Sequence, residues 1–161
     1  MRRKDREITS QESVLSILDR AEVLHLALSD DNKPYVLPLN FACVAEDGQI
    51  VVYLHGASKG RKLDIIAKNP HVCFEALCSY EILPGEAPCD YSANYESTIG
   101  EGLACVVEDP AEKVRGLDAI MKHYGYEGQT HYPADMLRAV TVLKITVSAL
   151  SGKARYAAKG V

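Results

Sequence analysis

Six apolar runs, several rich in β-branched residues, dominate this chain, and helical segments interrupt them without regular βαβ alternation. That irregularity constrains the fold most. A doubly wound parallel sheet needs a helix after nearly every strand, so the pattern predicts an α+β chain built on an antiparallel barrel, with about three helices among about six strands. The expected strands cover residues 23–28, 35–45, 50–55, 71–82, 94–108 and 139–150. Residues 30–34 and 46–49 read as turns, the second with an Asp47-Gly48 pair suited to a hairpin. Gly100 and Gly102 predict a bend or bulge in the long fifth strand.

The helices carry their own punctuation. Over residues 9–20, Thr9 and Glu12 have capping-box spacing, and Val14, Ile17, Leu18 and Ala21 share a face. A short helix with Leu63, Ile66 and Ala67 as its stripe ends at Asn69-Pro70, because proline disfavours the α conformation before it. Asp109, Pro110 and Glu112 mark the third helix as N-cap, first-turn proline and capping-box partner. Val114, Leu117, Met121 and Tyr124 are its expected buried face, His123 and Tyr124 its closing turn, and Gly125 its stop.

The 161 residues fit a single domain, 1–161, and 47% hydrophobic content is enough for a core without a metal or disulfide staple. Five cysteines, an odd number with no CxxC pair, point to a reducing, cytoplasmic setting. The charged start has no apolar segment behind it, so neither a signal peptide nor membrane attachment is expected; no run approaches the roughly 18 apolar residues of a membrane helix. A net charge of −4 argues against duplex nucleic acid as a partner, since that binding releases counterions from a basic footprint. His71, Cys73 and Cys78 match no common zinc spacing and read as a strand histidine and two core thiols, so no metal site is expected. No Ser-His-Asp or Cys-His set can be picked out.

Chemistry concentrates in residues 53–63, where a strand delivers a small-residue loop that opens a helix. Free amides at a helix start, together with the helix dipole, attract anions. Gly56 and Ala57 allow close backbone approach, Ser58 offers a hydroxyl, and Arg61 and Lys62 add positive charge. Spacing alone leaves a solvated helix start equally admissible. There is no GxxxxGK[ST] and no GxGxxG opening a βαβ unit, so neither a P-loop nor a Rossmann site is supported. Pro38 and Asn40 interrupt the apolar run 36–41; taken by itself, that segment reads as an edge strand with one wet face. The hydroxyls and glycines of residues 95–102 face either a ligand or solvent, and composition does not decide between them.

Taken together, Pro34-Tyr35-Val36-Leu37-Pro38-Leu39-Asn40-Phe41, Asp47-Gly48, Tyr53-Leu54-His55-Gly56-Ala57, Gly60-Arg61-Lys62-Leu63-Asp64 and Asn69-Pro70-His71-Val72-Cys73-Phe74 resemble the pyridoxamine 5'-phosphate oxidase-like, FMN-binding split-barrel superfamily. Within it, the pattern is closest to the 5-nitroimidazole resistance (Nim) branch, to which residues 95–102, the helix from Lys113 to Tyr124 and the closing 150–154 also conform. The resemblance implies a six-stranded split barrel, a homodimer and an FMN site at the subunit interface. It implies that Leu37, Pro38, Leu39 and Asn40 run along the isoalloxazine, that His55, Gly56, Ala57 and Lys62 hold the phosphate side with Leu63 close by, and that Ser97 approaches from the long strand or from the second subunit. It further implies a flavin-dependent reductase of nitroimidazole-like small molecules, with His55 near the cofactor or substrate. Other readings are a non-enzymatic flavin- or haem-binding module, with His25, His71, His123 or His131 as axial ligand, and a pyridoxamine phosphate oxidase, for which no basic and aromatic set to hold a second phosphorylated substrate is found.

Overall fold

The computed structural model describes residues 3–156. In order, the regular elements are β1 (Glu7–Ile8), α1 (Gln11–Arg20), β2 (Leu24–Asp30), β3 (Lys33–Leu39), β4 (Phe41–Glu46), β5 (Gln49–Ala57), α2 (Arg61–Lys68), β6 (His71–Leu83), β7 (Ser92–Val106), α3 (Pro110–His123), α4 (Ala134–Ala139) and β8 (Val140–Arg155). The strands form one antiparallel sheet in the order β3-β2-β6-β7-β8-β5-β4, with β1 added beside β8.

Two tight hairpins set the register. Asp31 and Asn32 (φ 49° and 65°) join β2 to β3, and Asp47 and Gly48 (φ 49° and 79°) join β4 to β5. Positive φ at both central residues matches the twist of the flanking strands. The expected single strand 35–45 is in fact two strands that break at Asn40. Leu39 pairs with Leu24 at one margin of the sheet, and Phe41 pairs with Leu54 at the other. The two ends of the sheet path are therefore consecutive in the chain, and the sheet curls until they meet at Asn40. This corner and the short β1 account for eight strands where six were expected.

Side-chain alternation divides the apolar residues into two cores. Leu24, Leu26, Val52, Leu54, Phe74, Leu143 and Ile145 fill the barrel, capped by Leu18 of α1 and Ile65 of α2. Val51, Tyr53 and Val142, on the opposite faces of β5 and β8, pack under Leu117 and Ile120 of α3. Gly100 and Gly102 behave as expected: the register against β8 shifts between Glu101 and Gly102, and a side chain at Gly100 would collide with the Phe74 ring.

Local details differ from expectation. The cap of α1 is Ser10, whose hydroxyl accepts the Ser13 amide at 3.4 Å, so the helix is capped one residue after Thr9 and the expected Thr9–Glu12 box does not form. Asp109 does cap α3, accepting the Glu112 amide at 2.9 Å, but the Glu112 carboxylate turns to Tyr53 and Lys144 instead of closing a box. The buried face of α3 is Gly116, Ile120 and the expected Leu117, with Met121 and Tyr124 partly exposed, because the helix rests on Tyr53 at the bare Gly116 position. In α2, Ile65 and Ile66 are buried, Leu63 is half-buried and Ala67 is exposed. The short α4 lacked a sequence signal; Lys113 holds it by donating to the Leu137 carbonyl at 2.6 Å.

Candidate functional site

The end of β5, the corner at Asn40 and the start of α2 converge. Phe41 pairs with Leu54, so one further step of that register sets Asn40 beside His55. On its other side β5 pairs with β8, His55 against Val142 and Gly56 against Thr141. Gly60 then opens α2 at φ 140°, a left-handed backbone suited to glycine, and contributes no side-chain cap. Its carbonyl accepts the Leu63 amide at 2.9 Å. The first turn of α2 is thus left without the side-chain acceptor that usually occupies a helix start.

Lys62 lies across Gly56. A Cβ built at Gly56 would stand 2.6 Å from the Lys62 ammonium nitrogen, so only glycine lets the amine lie against this strand. Among the described residues no carboxylate lies within ion-pairing distance of Lys62. Burial, and next the Lys62 charge, hold the His55 imidazole below its ordinary pKa. The corner therefore combines a lysine without a carboxylate partner, a histidine biased toward neutrality and an uncapped helix start. Those groups can take an anion such as a phosphate ester.

Arg61 is not part of this set. Its guanidinium reaches Asp30 at 3.3 Å and lies 4.6 Å from the centre of the Tyr35 ring, bracing α2 against the β2–β3 hairpin. Of the two cations expected to add charge at the helix start, Arg61 is already engaged by a carboxylate and an aromatic face, which leaves Lys62. Ala57 and Ser58 are exposed at the rim, and Leu63 leans on the barrel core. Beside them opens a cleft of about 620 Å³, lined by Ser58, Leu63, Val106, Lys113, Leu137 and Arg138 among others.

β3 is an edge strand, which explains how it tolerates Pro34 and Pro38. Leu37 and Leu39 pack on the barrel core, while Pro38 and Asn40 are exposed. Leu37, Pro38, Leu39 and Asn40 thus lead along the rim to His55, Gly56, Ala57, Lys62 and Leu63. Ser97 does not join them within one chain. It pairs with Lys153 of β8, twelve residues beyond Thr141, the partner of Gly56. That is on the order of 40 Å of strand contour.

The four remaining histidines are dispersed. His25 Nδ1 lies 3.1 Å from Glu75, and His123 Nε2 lies 2.8 Å from the Ala21 carbonyl. His71 and His131 are exposed. Among the described residues there is no group of three or more His, Cys, Asp or Glu suited to a metal ion, and no helix long and apolar enough to cross a membrane.

An antiparallel barrel whose two margins meet beside an uncapped helix start defines a split-barrel protein. Residues 10–154 match the family model for pyridoxamine 5'-phosphate oxidase, and the chain belongs to this oxidase-like split-barrel family. It resembles the crystal structure of a candidate 5-nitroimidazole antibiotic resistance protein from Bacteroides thetaiotaomicron, with 30% identity, 92% of this chain and 86% of that one covered, and a TM-score of 0.79. The flavocytochrome Anf3 from Azotobacter vinelandii superposes with a TM-score of 0.80 at 23% identity, over 98% of this chain and 72% of that one. An FAD- and haem-binding protein from Mycobacterium smegmatis gives 0.82 at 20% identity, over 94% and 74%. At those identities the last two bear on the fold. Among curated proteins none matches this chain significantly.

Proposed function

We propose that this chain is a flavoprotein that binds FMN at the Asn40–His55–Lys62 corner and reduces nitroimidazole-like or related small aromatic molecules. The observation that carries the reading is the Lys62 ammonium held against Gly56 beside an uncapped helix start, with no carboxylate partner among the described residues. The residues fit a phosphate ester: one cation, first-turn amides and a backbone bare enough for close approach. Leu37, Pro38, Leu39 and Asn40 would lie along the ring system, an apolar rim with one amide at its end.

When bound, the flavin supplies the electron transfer. The chain orients it and sets its electrostatics. Lys62 balances the charge of the ester. His55, biased toward its neutral form, leaves Lys62 as the main fixed charge near that end. The cleft that shares Ser58 and Leu63 with the corner has the size of a small-molecule site.

The complete site needs a second copy of the chain. Val36, Leu77, Ile99 and Leu103 are 57, 43, 51 and 48% exposed. Their strands are linked by the pairings Val36–Ala27–Cys73–Glu101, so one contiguous outer face of the sheet displays them together. Ser97 stands on that same face, opposite Leu77. A homodimer through this face would carry Ser97 to the partner's cofactor. The nitroimidazole-related neighbour supports the substrate class, and the FAD- and haem-binding neighbours support flavin binding more broadly.

The test is an absorption spectrum of the purified protein, followed by anaerobic reduction and addition of a 5-nitroimidazole. Flavin bands that bleach with dithionite and recover as the nitro compound is consumed are the expected result. A Soret band in place of flavin bands, or reduced flavin that the nitro compound leaves unoxidised, contradicts it.

A further inference from the structure

The corner at Asn40 is held by a helix that does not itself reach the anion site. At the end of α3, the Tyr124 hydroxyl accepts the Phe41 amide at 3.2 Å and donates to the Glu22 carbonyl at 2.7 Å. Next to it, His123 Nε2 lies 2.8 Å from the Ala21 carbonyl, and its ring stacks at a tilt on Phe41 with centroids 4.7 Å apart. Phe41 is fully buried. Three links therefore close a circuit around Asn40. Leu39 pairs with Leu24, residues 21 and 22 just before that strand bind His123 and Tyr124, and Tyr124 returns to Phe41. A strand that changes sheet margin has a broken ladder at the crossing, and here a side chain supplies the missing acceptor.

We propose that Tyr124 is a positioning residue for the flavin site: through Phe41 it fixes the backbone on which Asn40 meets the cofactor, with His123 as its lateral support. This rests on the flavin reading above. Tyr124 touches no ligand and acts only through the corner. The docking of α3, a helix on the far side of the second core, is thereby coupled to the rim of the site.

The experiment compares full-length wild type, Tyr124→Phe and Tyr132→Phe. Tyr132 also anchors α3, through a 2.9 Å bond to Asp118, but its hydroxyl bonds the helix and not the Phe41 amide. Titration of each apo-protein with FMN is expected to show affinity about fivefold weaker in Tyr124→Phe, the scale of one net hydrogen bond. Visible circular dichroism of the bound flavin should change in that variant, and both readouts should stay at wild-type values in Tyr132→Phe. Wild-type affinity and dichroism in Tyr124→Phe overturn the proposal, as does an equal loss in Tyr132→Phe. If wild type takes up no FMN, the flavin reading fails, and amide exchange in the ligand-free chains decides the positioning role. Selectively faster exchange at Phe41 in Tyr124→Phe supports it, and unchanged exchange overturns it.

Discussion

At the scale of single residues, the site turns on one lysine and one histidine. Burial first, and the Lys62 charge second, depress the His55 pKa from its ordinary 6.5. Between the native value and 6.5 the folded chain holds fewer protons at His55 than the unfolded chain, so stability rises with pH across that interval and is lost as pH falls through it. NMR titration of the His55 ring should give a midpoint below 6.5, and Lys62→Ala should raise it partway, since burial remains. A midpoint unmoved by Lys62→Ala would separate the two side chains. That Lys62 and Gly56 share one strand-to-helix turn was legible in the sequence, because a small-residue loop opening a helix is a local pattern. The sequence offered Arg61 alongside Lys62 as positive charge there, and in the structure that guanidinium is engaged by Asp30 and Tyr35. Adjacent basic residues look alike in sequence, and only the fold brings Asp30 and Tyr35 to one of them.

At the scale of elements, α3 shows two effects in competition. Replacing a helical glycine by alanine normally favours the helix by about 1 kcal/mol. At Gly116, however, a Cβ would stand 2.8 Å from the Tyr53 ring and 3.0 Å from Val142. Overpacking of this kind costs about 1–3 kcal/mol. Gly116→Ala is therefore expected to destabilise the chain by up to about 2 kcal/mol net in urea unfolding; a gain in stability would show that α3 can lift from Tyr53 without penalty. This close approach was hidden from the sequence, where the periodicity of Val114, Leu117, Met121 and Tyr124 suggested a face turned away from the true one. A helix laid on a sheet at a glycine follows the surface beneath it, and helical periodicity carries no record of that surface. The break at Asn40 was concealed for a similar reason. A run of apolar residues reads as one strand, whereas the change of sheet margin is decided by which strands lie on each side.

At the scale of the molecule, the antiparallel barrel followed from the missing βαβ alternation, the β4–β5 hairpin from its Asp-Gly pair, and the turn between β2 and β3 from the composition of residues 30–34. The separation of Ser97 from the corner could not be read locally, since it depends on how far along the sheet Ser97 lies from Lys62 in the same chain. A dimer through the outer face is expected. Light scattering should give twice the 17.6 kDa chain mass, and Ile99→Glu, which places a charge in the exposed apolar patch, should yield monomers with weakened FMN binding. A monomer that still holds flavin at full affinity would rule out a shared site.

The central claim is that the corner recognises a phosphate ester through Lys62. The most direct measurement is parallel titration of wild-type and Lys62→Ala apo-protein with FMN and with riboflavin, which lacks the phosphate. Wild type is expected to prefer FMN, and the substitution to weaken FMN binding by about 1.5–3 kcal/mol, the scale of a hydrogen bond to a charged group, with little change for riboflavin. Equal FMN affinity in the two proteins, or wild type that does not distinguish FMN from riboflavin, would contradict it.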